Sequence, residues 1–198
     1  FRITLIGLVS LAVAVGIGRF AFTPLLPMMR ADGLVNIAEG GLLASGHFLG
    51  YLLGALTVAK IPCPPRALLR GALLAIGIGT VWMGLTGDFT LWLILRALNG
   101  VFSAWVLVLV SSYYVSRLAG IGRPEFQGWV FSGAGAGIAI AGLACLVFMV
   151  GGTGSALSWQ ITGFASLGVI AIVCLSIGAE VPSDRPLPQD RTAHRSPP

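Results

Sequence analysis

The chain has 198 residues, of which 56% are hydrophobic and only 10% are charged, and its mean hydropathy is +0.93. This composition excludes an ordinary soluble globular domain, in which roughly a quarter of the residues are charged. A net charge of +5 would suggest nucleic-acid binding in a soluble protein, but here the arginines lie between hydrophobic stretches, where they set membrane topology. The composition therefore predicts a multi-pass membrane protein with no nucleic-acid partner.

Apolar stretches long enough to cross a bilayer as a helix, about 20 residues each, occur six times along the chain. They cover residues 3–29, 40–59, 67–86, 90–114, 127–150 and 157–178. Glu39 is expected in the first turn of the second helix, where a carboxylate suits the helix dipole. We expect residues 1–178 to form one transmembrane bundle. Residues 179–198, rich in proline and charged residues, are expected to form a disordered cytoplasmic linker or tail.

Lysine and arginine are distributed unevenly between the two sets of alternating loops. One set, together with the chain ends, carries Arg2, Lys60, Arg66, Arg70, Arg117, Arg123, Arg185, Arg191 and Arg195. The other set carries only Arg30. By the positive-inside rule both termini are cytoplasmic, which requires an even number of spans and agrees with six. Because the chain begins at Phe1 without a methionine, we expect it to be a fragment of a longer protein.

The first span places Arg19 inside a stretch that is otherwise apolar from Ile3 to Met29. A charge near the middle of a spanning helix costs roughly 2.5–3.5 kcal/mol on insertion scales, so it usually has a function. Arg19 either bonds carbonyls of a neighbouring helix or faces a water-filled cavity and binds an anion. The second alternative is favoured, because ionisable groups inside membranes mark transport pathways. Thr23, one turn later, either lines the same cavity or bonds a carbonyl.

Polar residues also mark the fourth span, where Arg96, Asn99 and Ser103 are spaced to share one helix face. Counted from the predicted outer ends of the spans, Arg96, Arg19 and His47 all lie about 12–17 Å deep at 1.5 Å per residue. If the first, second and fourth helices are neighbours, these side chains form an electropositive pocket, because no carboxylate lies in the spans. The pocket predicts an anionic substrate or a carboxylate from another segment.

Two of these residues have structural alternatives. Arg96 is about equally well explained by hydrogen bonds to carbonyls that Pro24 and Pro27 free in the first span. His47 titrates near neutral pH and so suits a proton relay, but packing beside Gly46 is the favoured explanation.

Glycines recur every four positions on two spans, which puts them on one face of each helix. They are Gly46, Gly50 and Gly54 on the second span, and Gly133 and Gly137 on the fifth. Small residues at this spacing let helix backbones approach closely, so we predict helix-packing faces. Their recurrence three spans apart is consistent with two inverted three-helix repeats, as in many secondary transporters.

Catalytic patterns are weak in this sequence. The three cysteines form no CxxC pair and no HExxH motif occurs, so no metal site or cofactor is expected. An intramembrane serine enzyme would draw its nucleophile from Ser111, Ser112 or Ser132. No acidic residue lies in the spans to orient a base, so an enzyme is not expected.

Three segments together resemble the YbfB/YjiJ-type branch of the major facilitator superfamily: residues 18–27, residues 43–56, and residues 96–104, which match the superfamily pattern Arg-x-x-x-Gly-x-x-x-Ala. The resemblance covers all six spans and implies a twelve-helix transporter, of which this chain is the amino-terminal six-helix half. It also implies that the first and fourth helices line a central cavity, with Arg19 and Arg96 facing it. The second and fifth helices, with their glycine faces, would meet the other half. The arginine matched by Arg96 is associated in the superfamily with proton coupling.

The sequence departs from the superfamily pattern at three places. Val58 stands where a gating carboxylate is expected after the second span, Ala134 replaces a proline on the fifth, and His47 stands where asparagine is expected. A conformational lock based on that carboxylate is therefore not available to this chain.

We predict a secondary transporter of the bacterial cytoplasmic membrane that moves a small organic anion, coupled to protons. Its partners are the lipid bilayer and a second six-helix half, either a carboxy-terminal segment or another copy of the chain. The alternatives are a non-transporting structural or assembly protein, an inactive half-transporter and the intramembrane serine enzyme.

Overall fold

The computed structural model describes residues 2–178, and this part of the chain is all helical. Its membrane-length helices are α1 (Arg2–Ala31), α2 (Ile37–Lys60), α3 (Pro65–Met83), α4 (Phe89–Gly120), α5 (Pro124–Val150) and α6 (Ser155–Ile177). All six are long and apolar enough to cross a membrane, which confirms the predicted fold class of six spanning helices. The inverted repeats and the cytoplasmic position of both termini stay predictions. The expected tail at residues 179–198 lies outside the described residues.

Polar caps fix where two of the helices begin. At the start of α2, the Asn36 side chain accepts a hydrogen bond from the Glu39 N–H at 2.9 Å, and the Glu39 carboxylate accepts one from the Asn36 N–H at 2.8 Å. This reciprocal cap satisfies two N–H groups that the helix leaves unpaired, and it places Glu39 in the first turn as predicted. Asp88 caps α4 by accepting from the Leu91 N–H at 2.7 Å.

The C-terminal end of α1 and the N-terminal end of α6 are joined by a charged hydrogen bond. The Ser155 N–H, at the first residue of α6, donates to the Asp32 carboxylate at 2.7 Å. Hydrogen bonding to Ser155 lowers the pKa of Asp32 below its usual value, while slight desolvation opposes the shift. A carboxylate at a helix N-terminus also interacts favourably with the helix dipole.

The middle of α1 is wound as a π-helix over Ala12–Phe20, and α4 contains a second π segment over Val110–Val115. Two carbonyls of the α1 segment accept hydrogen bonds from α4. The Ser103 hydroxyl donates to Ala14 O at 3.0 Å, and Arg96 Nη1 donates to Gly18 O at 3.3 Å. Side chains of α4 therefore hold the irregular backbone of α1 in place.

Close backbone contact joins α2 to α4 at glycines. The residues on α2 whose backbones meet α4 are Gly50 and Gly54, whereas a Cβ at Gly46 would meet the Leu93 side chain, 2.7 Å from Cδ1. A Cβ added at Gly50 would overlap the Ala97 backbone, and one at Gly54 would lie 2.5 Å from Val101 O. Only glycine permits this approach, because a methyl group cannot be rotated away from backbone atoms.

The glycines of α5 pack against α1 in the same manner. A Cβ at Gly133 would overlap Leu8 O, and one at Gly137 would overlap Ala12 O. Gly16 of α1 in turn faces the Gly137 backbone. Both glycine faces are thus buried inside the six-helix bundle.

The expectation that the glycine faces are available to a second half is therefore wrong, because α2 and α5 use them for their closest approach to α4 and α1. That α2 and α5 themselves meet a second half stays a prediction. Their outward faces carry large apolar side chains instead, such as Leu52, Leu56, Leu143 and Val147, which are 55–68% exposed.

Candidate functional site

Arg19 lies near the end of the π segment of α1, with its side chain half-buried among aromatic rings. Its guanidinium carbon is 5.2 Å from the Phe20 ring centroid, 5.0 Å from that of Phe48 and 5.2 Å from that of Tyr51. Contacts of this kind stabilise a cation by about 0.5–2 kcal/mol each. Arg19 Nε is buried without a hydrogen-bond partner, and within residues 2–178 no carboxylate pairs with this side chain.

Arg96 of α4 is only 3% exposed and lies against α1. Its guanidinium carbon is 4.4 Å from the Phe22 ring centroid, and Nη1 donates to Gly18 O. The predicted structural alternative for Arg96 is a bond to carbonyls that Pro24 and Pro27 free, and the carbonyl it contacts, Gly18 O, lies six residues before Pro24. Its Nε is buried without a partner, so this hydrogen bond leaves donor capacity unused.

His47 of α2 is 1% exposed, and neither ring nitrogen has a hydrogen-bond partner among the described residues. The ring packs edge-on to Phe48, with centroids 6.0 Å apart, and it interacts electrostatically with Arg96 and Arg19. A buried polar group without a partner costs about 1–3 kcal/mol. The structure therefore brings together the three basic side chains that the sequence placed at one depth, and each keeps an unsatisfied nitrogen.

Of the other predicted cavity residues, Asn99 and Ser103 lie apart from this cluster. Thr23 is exposed one turn after Arg19. Ser103 is fully buried and bonds the α1 backbone. Asn99 points toward α3, where its amide lies against Gly79, and it lines an apolar groove of about 460 Å³ between α3 and α4. Arg96, Asn99 and Ser103 consequently do not form one polar surface.

Aromatic residues are the part of the site that the sequence analysis missed. They are Phe20, Phe22, Phe48 and Tyr51. A signal was present, since Phe20 and Phe22 follow Arg19 within three residues, and Phe48 and Tyr51 follow His47 within four. We name Arg19, His47 and Arg96 with these four rings the basic–aromatic cluster.

Acidic groups lie far from the basic–aromatic cluster along the described helices. The carboxylates within residues 2–178 belong to Asp32, Glu39, Asp88 and Glu125, all at helix ends or in loops. Within the same range, no group of three or more His, Cys, Asp or Glu side chains could hold a metal ion. The cluster thus has net positive charge at membrane depth with no counter-ion from this part of the chain. In a medium of low dielectric constant, such a cluster attracts an anion strongly.

A comparison with protein families gives one match. The family model described as "Uncharacterised MFS-type transporter YbfB" matches residues 11–198, a range that includes all or part of every helix described above. Among curated proteins, none matches the chain significantly.

Proposed function

The chain belongs to the family of the MFS-type transporter YbfB, and from this premise we propose that it binds and moves a small organic anion across the bacterial cytoplasmic membrane. Family membership and the six apolar helices make it a multi-pass membrane transporter. The substrate, the coupling ion and the membrane are our proposals.

The observation that carries the anion proposal is the unpaired charge of the basic–aromatic cluster. Arg19 and Arg96 both keep a buried Nε without an acceptor, and His47 keeps two unpartnered ring nitrogens. Burying several hydrogen-bonding groups without new partners costs free energy, because their hydrogen bonds to water are lost. A ligand that supplies acceptors to these groups would recover that free energy on binding. A carboxylate supplies two oxygens in the geometry of a guanidinium edge.

We propose that the cluster faces a second six-helix half, either a carboxy-terminal segment or another copy of the chain. Thr23 and Phe48 are exposed beside Arg19, so the cluster reaches the surface of this bundle on the side of α1 and α2. Transporters of this architecture bind solutes between two halves that rock around a midplane site. The packing of α2 on α4 and of α5 on α1 by the same glycine spacing supports the proposed inverted repeats.

Proton coupling is proposed to involve His47 or Arg96. Both are buried, both lie at the cluster, and His47 has two ring nitrogens free to exchange a proton with a solute or with Arg96. Uptake that alkalinises the outer medium in step with solute entry would support this coupling. Uptake with no proton movement would contradict it.

The serine-enzyme alternative receives no support from the geometry. Ser112 donates to Val108 O at 2.7 Å and Ser132 donates to Trp129 O at 2.8 Å, both within their own helices. A nucleophile needs a base within hydrogen-bond reach, and neither of these hydroxyls contacts one.

Uptake into proteoliposomes tests the proposal. The native gene product is reconstituted and supplied with radiolabelled carboxylates under an inward proton gradient, beside Arg19→Gln and the control Arg30→Gln, which changes an exposed arginine at the end of α1. We expect wild type and Arg30→Gln to accumulate at least one carboxylate, and Arg19→Gln to fall below about a tenth of that rate. Wild-type uptake by Arg19→Gln would refute the role of the cluster, and preferential uptake of cations would refute the anion proposal.

A further inference from the structure

Resting on the proposed function, we further propose that the transported anion is a monocarboxylate with an apolar body of about the size of one ring. In this arrangement the carboxylate binds the edge of the Arg19 guanidinium, and the body packs against Phe48 and the neighbouring surface of α2.

The number of carboxylates follows from how the two arginines differ. Arg19 is half-buried, and among the described residues its contacts are aromatic rings with no hydrogen bond. Arg96 is 3% exposed, lies against Phe22 and already donates to Gly18 O. Only Arg19 therefore combines access from the surface with an unused guanidinium edge. One accessible guanidinium edge, with its two parallel N–H donors, matches the two oxygens of one carboxylate.

The apolar character of the rest of the solute is inferred from the side chains around the Arg19 guanidinium. Phe48 is 53% exposed and Leu52 is 55% exposed, so the surface next to the guanidinium is mainly apolar. The neutral polar side chains near it include Thr23, Tyr51 and the exposed Ser45, one turn before Phe48 on α2. A solute hydroxyl placed on this surface loses its water and finds few partners. Each unpaired hydroxyl is expected to weaken binding about tenfold.

The aromatic rings also select against inorganic oxyanions. Rings around the guanidinium leave its in-plane N–H groups as the donors that a ligand can use. A carboxylate is satisfied by two such donors, whereas sulfate and phosphate carry further oxygens that the Thr23 and Tyr51 hydroxyls satisfy only in part. The site therefore favours the weakly hydrated organic acid.

A thermal-shift series on the purified native gene product tests this inference. Three probes are compared over the same concentration range: benzoate, the polyhydroxylated monocarboxylate gluconate, and sulfate. A ligand that binds only the folded state raises the melting temperature, and the rise grows with the logarithm of the ligand concentration relative to its Kd. We expect benzoate to act at concentrations at least about tenfold lower than gluconate or sulfate. Its effect should disappear in Arg19→Gln.

Two aromatic variants distinguish the contribution of the apolar body of the ligand from that of its carboxylate. Phe48→Ala removes the proposed packing surface and should weaken benzoate about tenfold, whereas Phe131→Ala, which changes an exposed ring on α5, should leave the response unchanged. An Arg19-dependent response to gluconate or sulfate as strong as that to benzoate would overturn this inference and leave the anion proposal standing. An unchanged benzoate response in Phe48→Ala would also overturn it. No response to any of the three probes would count against both proposals.

Discussion

Replacing Gly50 with alanine should destabilise the bundle, because the added methyl group has no room between α2 and α4. Its Cβ would overlap the Ala97 carbonyl oxygen and lie 3.0 Å from Ala97 Cα. These are backbone atoms, so no side-chain rotation relieves the overlap and the two helices must move apart. Gly46 and Gly54 lie on the same contact, so the movement would loosen their packing as well.

The size of the effect combines two opposing contributions. Forcing an extra methyl group into a well-packed interior costs about 1–3 kcal/mol, and the backbone contact at Gly50 favours the upper end. Alanine in place of glycine returns about 0.5–1 kcal/mol through helix propensity. The net loss is about 2 kcal/mol, which corresponds to a fall of about 4–8 °C in melting temperature for a chain of this size.

The native cysteines provide the assay. Cys145 is fully buried on α5, whereas Cys63 is exposed and Cys174 is half-buried, so a thiol-reactive fluorogenic dye in a Cys63→Ser, Cys174→Ser background reports when the bundle opens. Gly41→Ala is the matched control, because it lies on the same helix and its Cβ would have nothing within 4 Å. We expect the control to melt at or slightly above wild type. A Gly50→Ala variant that melts with the control would refute the close contact between α2 and α4.

Three further predictions concern stability and topology. Arg96→Gln removes a buried charge that donates one backbone hydrogen bond, to Gly18 O, so it should change stability by no more than about 1 kcal/mol in the dye assay. Because the pKa of Asp32 is lowered in the folded state, its stabilisation is present above about pH 4 and lost as the pH falls through that lowered pKa. The difference in melting temperature between wild type and Asp32→Asn should therefore be present at pH 7 and vanish in strong acid; a difference independent of pH would contradict the role of Asp32. An impermeant maleimide should label Cys63 only in inside-out vesicles and an introduced Gly87→Cys only in right-side-out vesicles, and the reverse pattern would refute cytoplasmic termini.

The six spanning helices could be predicted from the sequence because bilayer thickness fixes the length of an apolar stretch. The same counting placed Arg19, His47 and Arg96 at one depth, and the structure brings them together. The depth of a residue in the membrane depends only on its distance along the helix from the end of the span, which can be counted in the sequence. The contacts between neighbouring helices are not recorded in this way.

The angular positions of residues around the α4 axis explain why Asn99 does not face α1. At about 100° per residue, Ser103 lies about 20° from Arg96 around the helix axis, whereas Asn99 lies about 60° away. Arg96 and Ser103 accordingly bond the α1 backbone, while Asn99 turns toward Gly79 of α3. The predicted single face of Arg96, Asn99 and Ser103 therefore divides between two neighbouring helices, α1 and α3.

The glycine faces and the π segment could not be read from spacing alone. A period of four identifies which face of α2 is small, but several helices can fill it, and α4 does so in this bundle. The π segment of α1 depends on tertiary hydrogen bonds from Arg96 and Ser103 to its carbonyls. Such bonds exist only once the helices have packed.

The most direct test of the central claim is an experimental structure of the native gene product with the carboxylate that the uptake assay identifies. The account predicts the solute carboxylate within hydrogen-bond distance, about 3 Å, of the Arg19 guanidinium edge, with its body against Phe48. A structure in which Arg19 is paired with a carboxylate of the protein itself, and the solute lies elsewhere, would contradict it.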